Sequence, residues 1–242
     1  MDLKEFDWQA GPNYPFVPRE IISAWDVAKM GLQESQFDRK LRMLRQLSST
    51  CQACTCCELG RKDAEKNGTT RDPHVLSNVN PKRFMICGQG PGWEEITKGT
   101  PFIGASGKNF DNELVKYGLS RDDFYITNSV RCWIKDNGKP NYEQLLKCRP
   151  FLDIEINLIH PHFVVTLGAV AFNVFCPGKN YGESLGSLHH SEIFGVKVFA
   201  VYHPSPLNLA DITRRQDFVQ QMKLVCGMVK KIKKSESAIT AE

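Results

Sequence analysis

The chain has 242 residues, 41% of them hydrophobic and 24% charged, the balance of a globular protein with a core of its own. No run reaches the ~18 apolar residues of a membrane span, and residues 1–11 are charged and aromatic, unlike a secretory leader. An intracellular location without membrane association is therefore expected (cytoplasmic in a prokaryote), and the nine cysteines read as reduced thiols or metal ligands rather than a disulfide framework.

The net charge of +4 hides an asymmetry. Residues 213–234 carry seven Lys/Arg against Asp217, a local excess of +6 that leaves the remainder at −2. This basic run reads either as a solvated helix end or as a helix facing DNA.

Residues 1–30 are rich in Pro and aromatics without periodicity and read as an extended arm. Phe37, Leu41, Leu44 and Leu47 recur at helical spacing and predict a helix over 34–48. A cysteine cluster follows at 51–57, then a polar loop over 62–82. From there the pattern alternates. Strands are predicted over 83–87, 123–130, 162–167 and 196–202, and helices over 106–117, 142–159, 169–175 and 212–233. The boundaries expected from this are an arm and helix over 1–48, one domain over 49–234 and a disordered tail over 235–242. Strands alternating with helices predict an α/β fold, a parallel sheet covered on both faces, with ligand sites at the carboxyl ends of the strands.

Those strand ends carry the chemistry. Gly88-Gln89-Gly90-Pro91-Gly92 follows the first strand. Such a loop lets backbone approach a ligand closely. It is neither a nucleoside-triphosphate loop nor a dinucleotide fingerprint. Phe102 and Asn109 break the former around Gly107-Lys108, and the latter lacks its third glycine. Asn128 ends the second strand, and its amide offers the acceptor and donor pair that can read a base edge. His203-Pro204-Ser205 follows the fourth strand, and a histidine there can donate to an oxygen gaining negative charge.

Cys54-x2-Cys57 joined to Cys132 and Cys148 makes four thiolates drawn from two pairs, a donor set for structural zinc or for an iron–sulfur cluster. Spacing alone leaves both open, and leaves Cys51 and Cys56 as alternative members. Cys87, Cys176 and Cys226 fall in apolar segments and read as buried.

Five segments in order are Cys54-Thr55-Cys56-Cys57-Glu58-Leu59, Gly88-Gln89-Gly90-Pro91-Gly92 with Glu94-Glu95, Gly99-Thr100-Pro101-Phe102-Ile103-Gly104 with Gly107, Ile126 to Cys132, and His203-Pro204-Ser205. With Cys148 they resemble the family 4 uracil-DNA glycosylases, the iron–sulfur branch of the uracil-DNA glycosylase superfamily, over about residues 50–230. The resemblance implies a three-layer α/β/α fold with a central four-stranded parallel sheet. It implies release of uracil from DNA, a structural [4Fe–4S] cluster on Cys54, Cys57, Cys132 and Cys148 in preference to zinc, and a monomer acting on uracil-containing DNA. It implies Glu95, His203 and Gln89 as catalytic residues. Gly88, Gly90, Phe102, Asn128, Ser205 and Leu207 are implied to bind substrate, Phe102 by stacking on the base and Leu207 by wedging into the base stack. The chain departs from the family at Gln89, where glutamate is usual, and at Ile96, where a second acid is usual. Those departures motivate the alternative of a non-catalytic, damage-sensing DNA-binding module stapled by iron–sulfur or zinc. A zinc-stapled enzyme acting on another nucleotide is a third reading.

Overall fold

A computed structural model describes residues 36–52, 54–60 and 82–239. The expected arm over 1–30 and nearly all of the polar loop over 62–82 lie outside these residues. The first described helix, α1 (Gln36–Gln52), buries Leu44, Leu47 and Cys51 along one face.

The core is one sheet in the order β2-β1-β3-β5-β4, built from β1 (Phe84–Gly88), β2 (Tyr125–Asn128), β3 (Phe163–Leu167), β4 (Leu188–Ser191) and β5 (Val196–Val201). The first, second, third and fifth strands are parallel, as expected. Among the described residues the sheet nevertheless has five strands, one more than the four parallel ones expected. The β4 edge pairs antiparallel with β5. Its sequence, Leu188-His189-His190-Ser191, is half exposed and carries none of the apolar continuity that marks its neighbours, so it left no strand signal.

Alternate side chains of the strands point to opposite faces. Phe84, Ile86, Ile126, Phe163, Val165 and Phe199 pack with α3 (Ala105–Lys116) and α8 (Ile212–Ile239). Met85, Cys87, Tyr125, Val164 and Val198 pack with α4 (Tyr142–Ile159) and α5 (Ala169–Phe175). Helix α1 lies outside α4, burying Leu47 and Cys51 against Phe151 and Ile154. The described residues also include three short α-helices: α2 (Trp93–Lys98), α6 (Tyr181–Ser184) and α7 (Pro206–Ala210). Helix α8 continues to Ile239, through most of the segment read as a disordered tail. Glu236 faces His162 at 2.9 Å and Arg83 at 3.6 Å, which ties that last stretch to the body. No helix among the described residues is long and apolar enough to cross a membrane.

Candidate active site

The register sets Gly88 directly beside Asn128 at the carboxyl ends of β1 and β2. The pairing continues past the strands, with Ser129 N–H donating to Gly88 O at 2.8 Å and Val130 N–H to Gln89 O at 3.0 Å. Gly168, at φ 94°, ends β3, and a Cβ there would lie 3.1 Å from that of His203. The missing side chain lets His203 swing in from the end of β5. Three strand ends thus converge on a pocket of about 740 Å³. It is lined by Gln89, Glu95, Phe102, Asn128, Cys132, His203, Ser205 and Leu207, among others.

Asn128 is only 1% exposed, and neither its Oδ1 nor its Nδ2 has a hydrogen-bond partner. Burying an amide without partners costs on the order of 1–3 kcal/mol per group. At a pocket wall this leaves both a donor and an acceptor available to a ligand.

Phe102 lies across the pocket from it. Ideal Cβ geometry at Gly88 would bring a side chain within 2.4 Å of the Phe102 ring and 2.6 Å of Asn128 Oδ1, so only glycine lets ring and amide close together. Phe102 itself sits at φ 53°, a left-handed conformation costly for a bulky residue. The Arg121 guanidinium holds it there, donating to Pro101 O at 3.3 Å and to Phe102 O, and pairing with Asp111 at 3.0 Å.

Glu95, in the pocket wall, is tied to the backbone of two loops. Oε2 accepts from Gly92 N–H at 3.0 Å, and Oε1 accepts from Ile103 and Gly104 N–H at 2.9 and 2.8 Å. Through these bonds Glu95 clamps the glycine loop to the Phe102 loop. Gln89 is similarly occupied, its Nε2 donating to Gly138 O at 2.9 Å.

His203 is held through its backbone. Asn208 Nδ2 donates to His203 O at 3.0 Å, and Asn109 Nδ2 donates to the neighbouring Pro204 O at 2.9 Å. Burial holds its imidazole below the ordinary histidine range, which keeps the ring neutral near pH 7. The Ser205 hydroxyl caps α7, accepting from Asn208 N–H at 3.3 Å. Leu207, on that short helix, is 84% exposed.

Beneath Asn128 lies a buried charge network that sequence reasoning left without a role. Arg131 Nη1 donates to Asn128 O and to the Thr127 hydroxyl, and Nη2 donates to Glu155 at 2.7 Å. The Thr127 hydroxyl in turn donates to Glu155 at 2.8 Å. Burial raises the Glu155 carboxyl and Arg131 offsets it. The available signal was a lone glutamate on the apolar face of Leu152, Ile156 and Ile159.

The cysteines gather behind the same wall. The Cys132 thiol is raised by burial first and then by the neighbouring Cys148, Cys51, Cys57 and Cys54. Burial likewise pushes Cys148 up to about 12 and Cys54 up to about 11. Among the described residues no three His, Cys, Asp or Glu side chains converge closely enough to hold a single metal ion. All nine cysteines are free thiols. A soft, all-thiol donor set is chemically suited to an iron–sulfur cluster or to zinc.

The comparisons with known proteins agree with this geometry. The model of the uracil DNA glycosylase superfamily matches residues 76–223. The type-4 uracil-DNA glycosylase of Archaeoglobus fulgidus is 34% identical over 161 residues, covering 63% of this chain and 77% of that protein. That of Thermotoga maritima is 33% identical over 165 residues, covering 66% of this chain and 81% of that protein. A type-5 uracil-DNA glycosylase from Pyrobaculum aerophilum is 34% identical over 145 residues, covering 52% of this chain and 63% of that protein. The pocket at the carboxyl edge of the sheet and the orphan asparagine facing it lie within the matched residues, and the chain belongs to the uracil DNA glycosylase superfamily, in its type-4 branch.

Proposed function

We infer that the protein is a DNA-repair hydrolase that cleaves the N-glycosidic bond of deoxyuridine in DNA, releasing uracil and leaving an abasic site. The unpartnered amide of Asn128 carries this reading. A uracil inside a duplex cannot reach a pocket at the sheet edge, so the nucleotide is extruded first. Phe102 stacks on the extruded base. Asn128 accepts from its N3–H and donates to its O4. Cytosine offers an acceptor and a donor at those positions in reverse, leaving the buried amide mismatched.

As the bond breaks, the base departs as an anion, the sugar gains cationic character, and water adds at C1′ and gives up its proton to solvent or to the departed base. Neutral His203 donates to O2 of the departing base, beside the Gly88–Gly90 backbone. Glu95 contributes a fixed negative charge in the pocket wall, 8% exposed, toward the cationic sugar. Gln89 positions the 134–138 loop. Ser205 and the α7 turn lie against the phosphate, with Leu207 filling the gap in the base stack.

Cys54, Cys57, Cys132 and Cys148 hold a [4Fe–4S] cluster, which supplies a covalent staple and no electron to the hydrolysis. A reducing, intracellular setting would keep the other five cysteines as thiols. The protein acts on DNA as a monomer.

The test is release of uracil from a uracil-containing oligonucleotide, with alkali revealing abasic sites. The purified protein is expected to be brown and to cleave. Asn128→Ala forfeits two hydrogen bonds to the base and is expected to slow release roughly 30- to 1,000-fold. Binding without release by brown wild-type protein would sink the enzymatic reading. A colourless, active protein containing one zinc would replace the cluster.

A further inference from the structure

Two of the exposed large apolar side chains, Trp93 and Leu207, line the pocket mouth. Leu207 fills the gap left by the extruded base, whereas Trp93 has no role in that reaction. Its indole is 48% exposed at the first turn of α2. It meets Trp133 edge to face, with ring centroids 5.2 Å apart and planes at 64°.

This pair is built in place. Trp133 Nε1–H donates to Asn137 Oδ1 at 3.4 Å. Asp136 and Asn137, at φ 57° and 54°, fold the 134–138 loop tightly, and Gln89 pins that loop through Gly138 O. Two indoles from separate segments are thus braced against each other at the rim of the base pocket, with half of one left open. Lys135 and Lys139, both exposed, flank them on the same loop.

We propose that Trp93 and Trp133 form a stacking platform for a nucleobase flanking the extruded deoxyuridine. This rests on the glycosylase reading and deepens it. Extrusion breaks the stack on both sides of the target and leaves a neighbouring base with an open π-face. An indole replaces the missing stacking on any base, since every base has such a face. The lysines beside it suit the adjoining phosphates. Continuity with the base pocket selects a nucleic-acid strand as the occupant. The platform therefore favours DNA whose flanking bases are already unstacked, as in a single strand, without selecting their sequence.

The experiment compares two uncleavable single-stranded oligonucleotides carrying 2′-fluoro-deoxyuridine, one with natural flanking nucleotides and one with abasic spacers on both sides. Wild-type protein is expected to bind the first roughly 5- to 100-fold more tightly, with quenching of indole fluorescence. Trp93→Ala is expected to abolish both the difference and most of the quenching, while Trp93→Phe keeps most of the difference. Equal wild-type binding of the two oligonucleotides, or an undiminished difference in Trp93→Ala, overturns the platform. Uracil release from an unmodified oligonucleotide is scored in parallel. Normal release without a flank effect removes the platform alone. A flank effect without release removes the glycosylase reading and leaves the platform standing.

Discussion

His203 shows how burial can tune a single residue toward its role. Desolvation holds its imidazole below the ordinary value of about 6.5. Below that pH the unfolded chain binds a proton more readily than the folded one. The stability linked to His203 is thus fully present above about 6.5 and is lost as pH falls through the depressed value. A neutral donor does not compete with solvent to discard a proton before the base leaves. Uracil release is therefore expected to stay level from pH 8 down to about 6.5 and to fall only at lower pH. In His203→Ala, release drops on the order of 100- to 1,000-fold and the acid limb assigned to the imidazole disappears. A pH–rate profile of both proteins checks this, and an unchanged acid limb in the variant would reassign it to another group. Asn128 and His203 were legible in the sequence because each closes an apolar strand. The commitments of Glu95 and Gln89 were not, because three backbone N–H groups and one carbonyl leave no trace in side-chain identity.

At the scale of elements, the pocket depends on close approaches between segments. Helix α3 begins so near the Phe102 loop that a Cβ on Gly107 would lie 1.8 Å from Phe102 O. Gly107→Ala must displace the Phe102 backbone or the start of α3, and it is expected to lose most uracil release while the far-ultraviolet circular dichroism stays native. Unimpaired release would show that the Phe102 position is not needed. The Arg131–Glu155 pair is the second such joint, 1% and 0% exposed. Arg131→Met strands a buried carboxylate and is expected to cost about 3–5 kcal/mol. The double variant Arg131→Met with Glu155→Leu recovers most of that stability, because an apolar pair replaces a buried ionic one at little net cost. Its release remains impaired, because Asn128 O still lacks its donor. Thermal unfolding and release rates, measured on wild type and both variants, separate the two effects. The main helices were legible from periodicity and the four parallel strands from short apolar runs, and α4 and α5 fall where the sequence puts them. Helices α2 and α7 and the β4 edge were not, since four to six residues with half-exposed faces show no period.

Across the whole molecule, the basic C-terminal run divides into two ends with different surroundings. Helix α8 runs antiparallel to the sheet's parallel strands. It starts two residues after α7, at the pocket mouth. It finishes at the opposite edge, where Lys233 pairs with Asp123 ahead of β2 and Glu236 with His162 ahead of β3. At 1.5 Å per residue, Lys233 lies roughly 30 Å along the helix from Arg214. The local +6 is thus no single DNA-facing stripe. Arg214 and Arg215 are exposed beside the site, whereas Lys230, Lys231, Lys233 and Lys234 serve the far edge. Removing one cation that neutralises a phosphate lowers the slope of log affinity against log salt by about 0.7 on a single strand. Replacing both Arg214 and Arg215 with Gln is expected to weaken binding to uracil-containing single strands and to reduce that slope by about 1.4. Replacing Lys230 and Lys231 with Gln removes the same charge from the far edge and is expected to leave the slope unchanged. Binding titrations across a range of salt concentrations decide between these arrangements. An equal fall in slope for the two double variants would mean that DNA runs along the whole helix and not across its first turn.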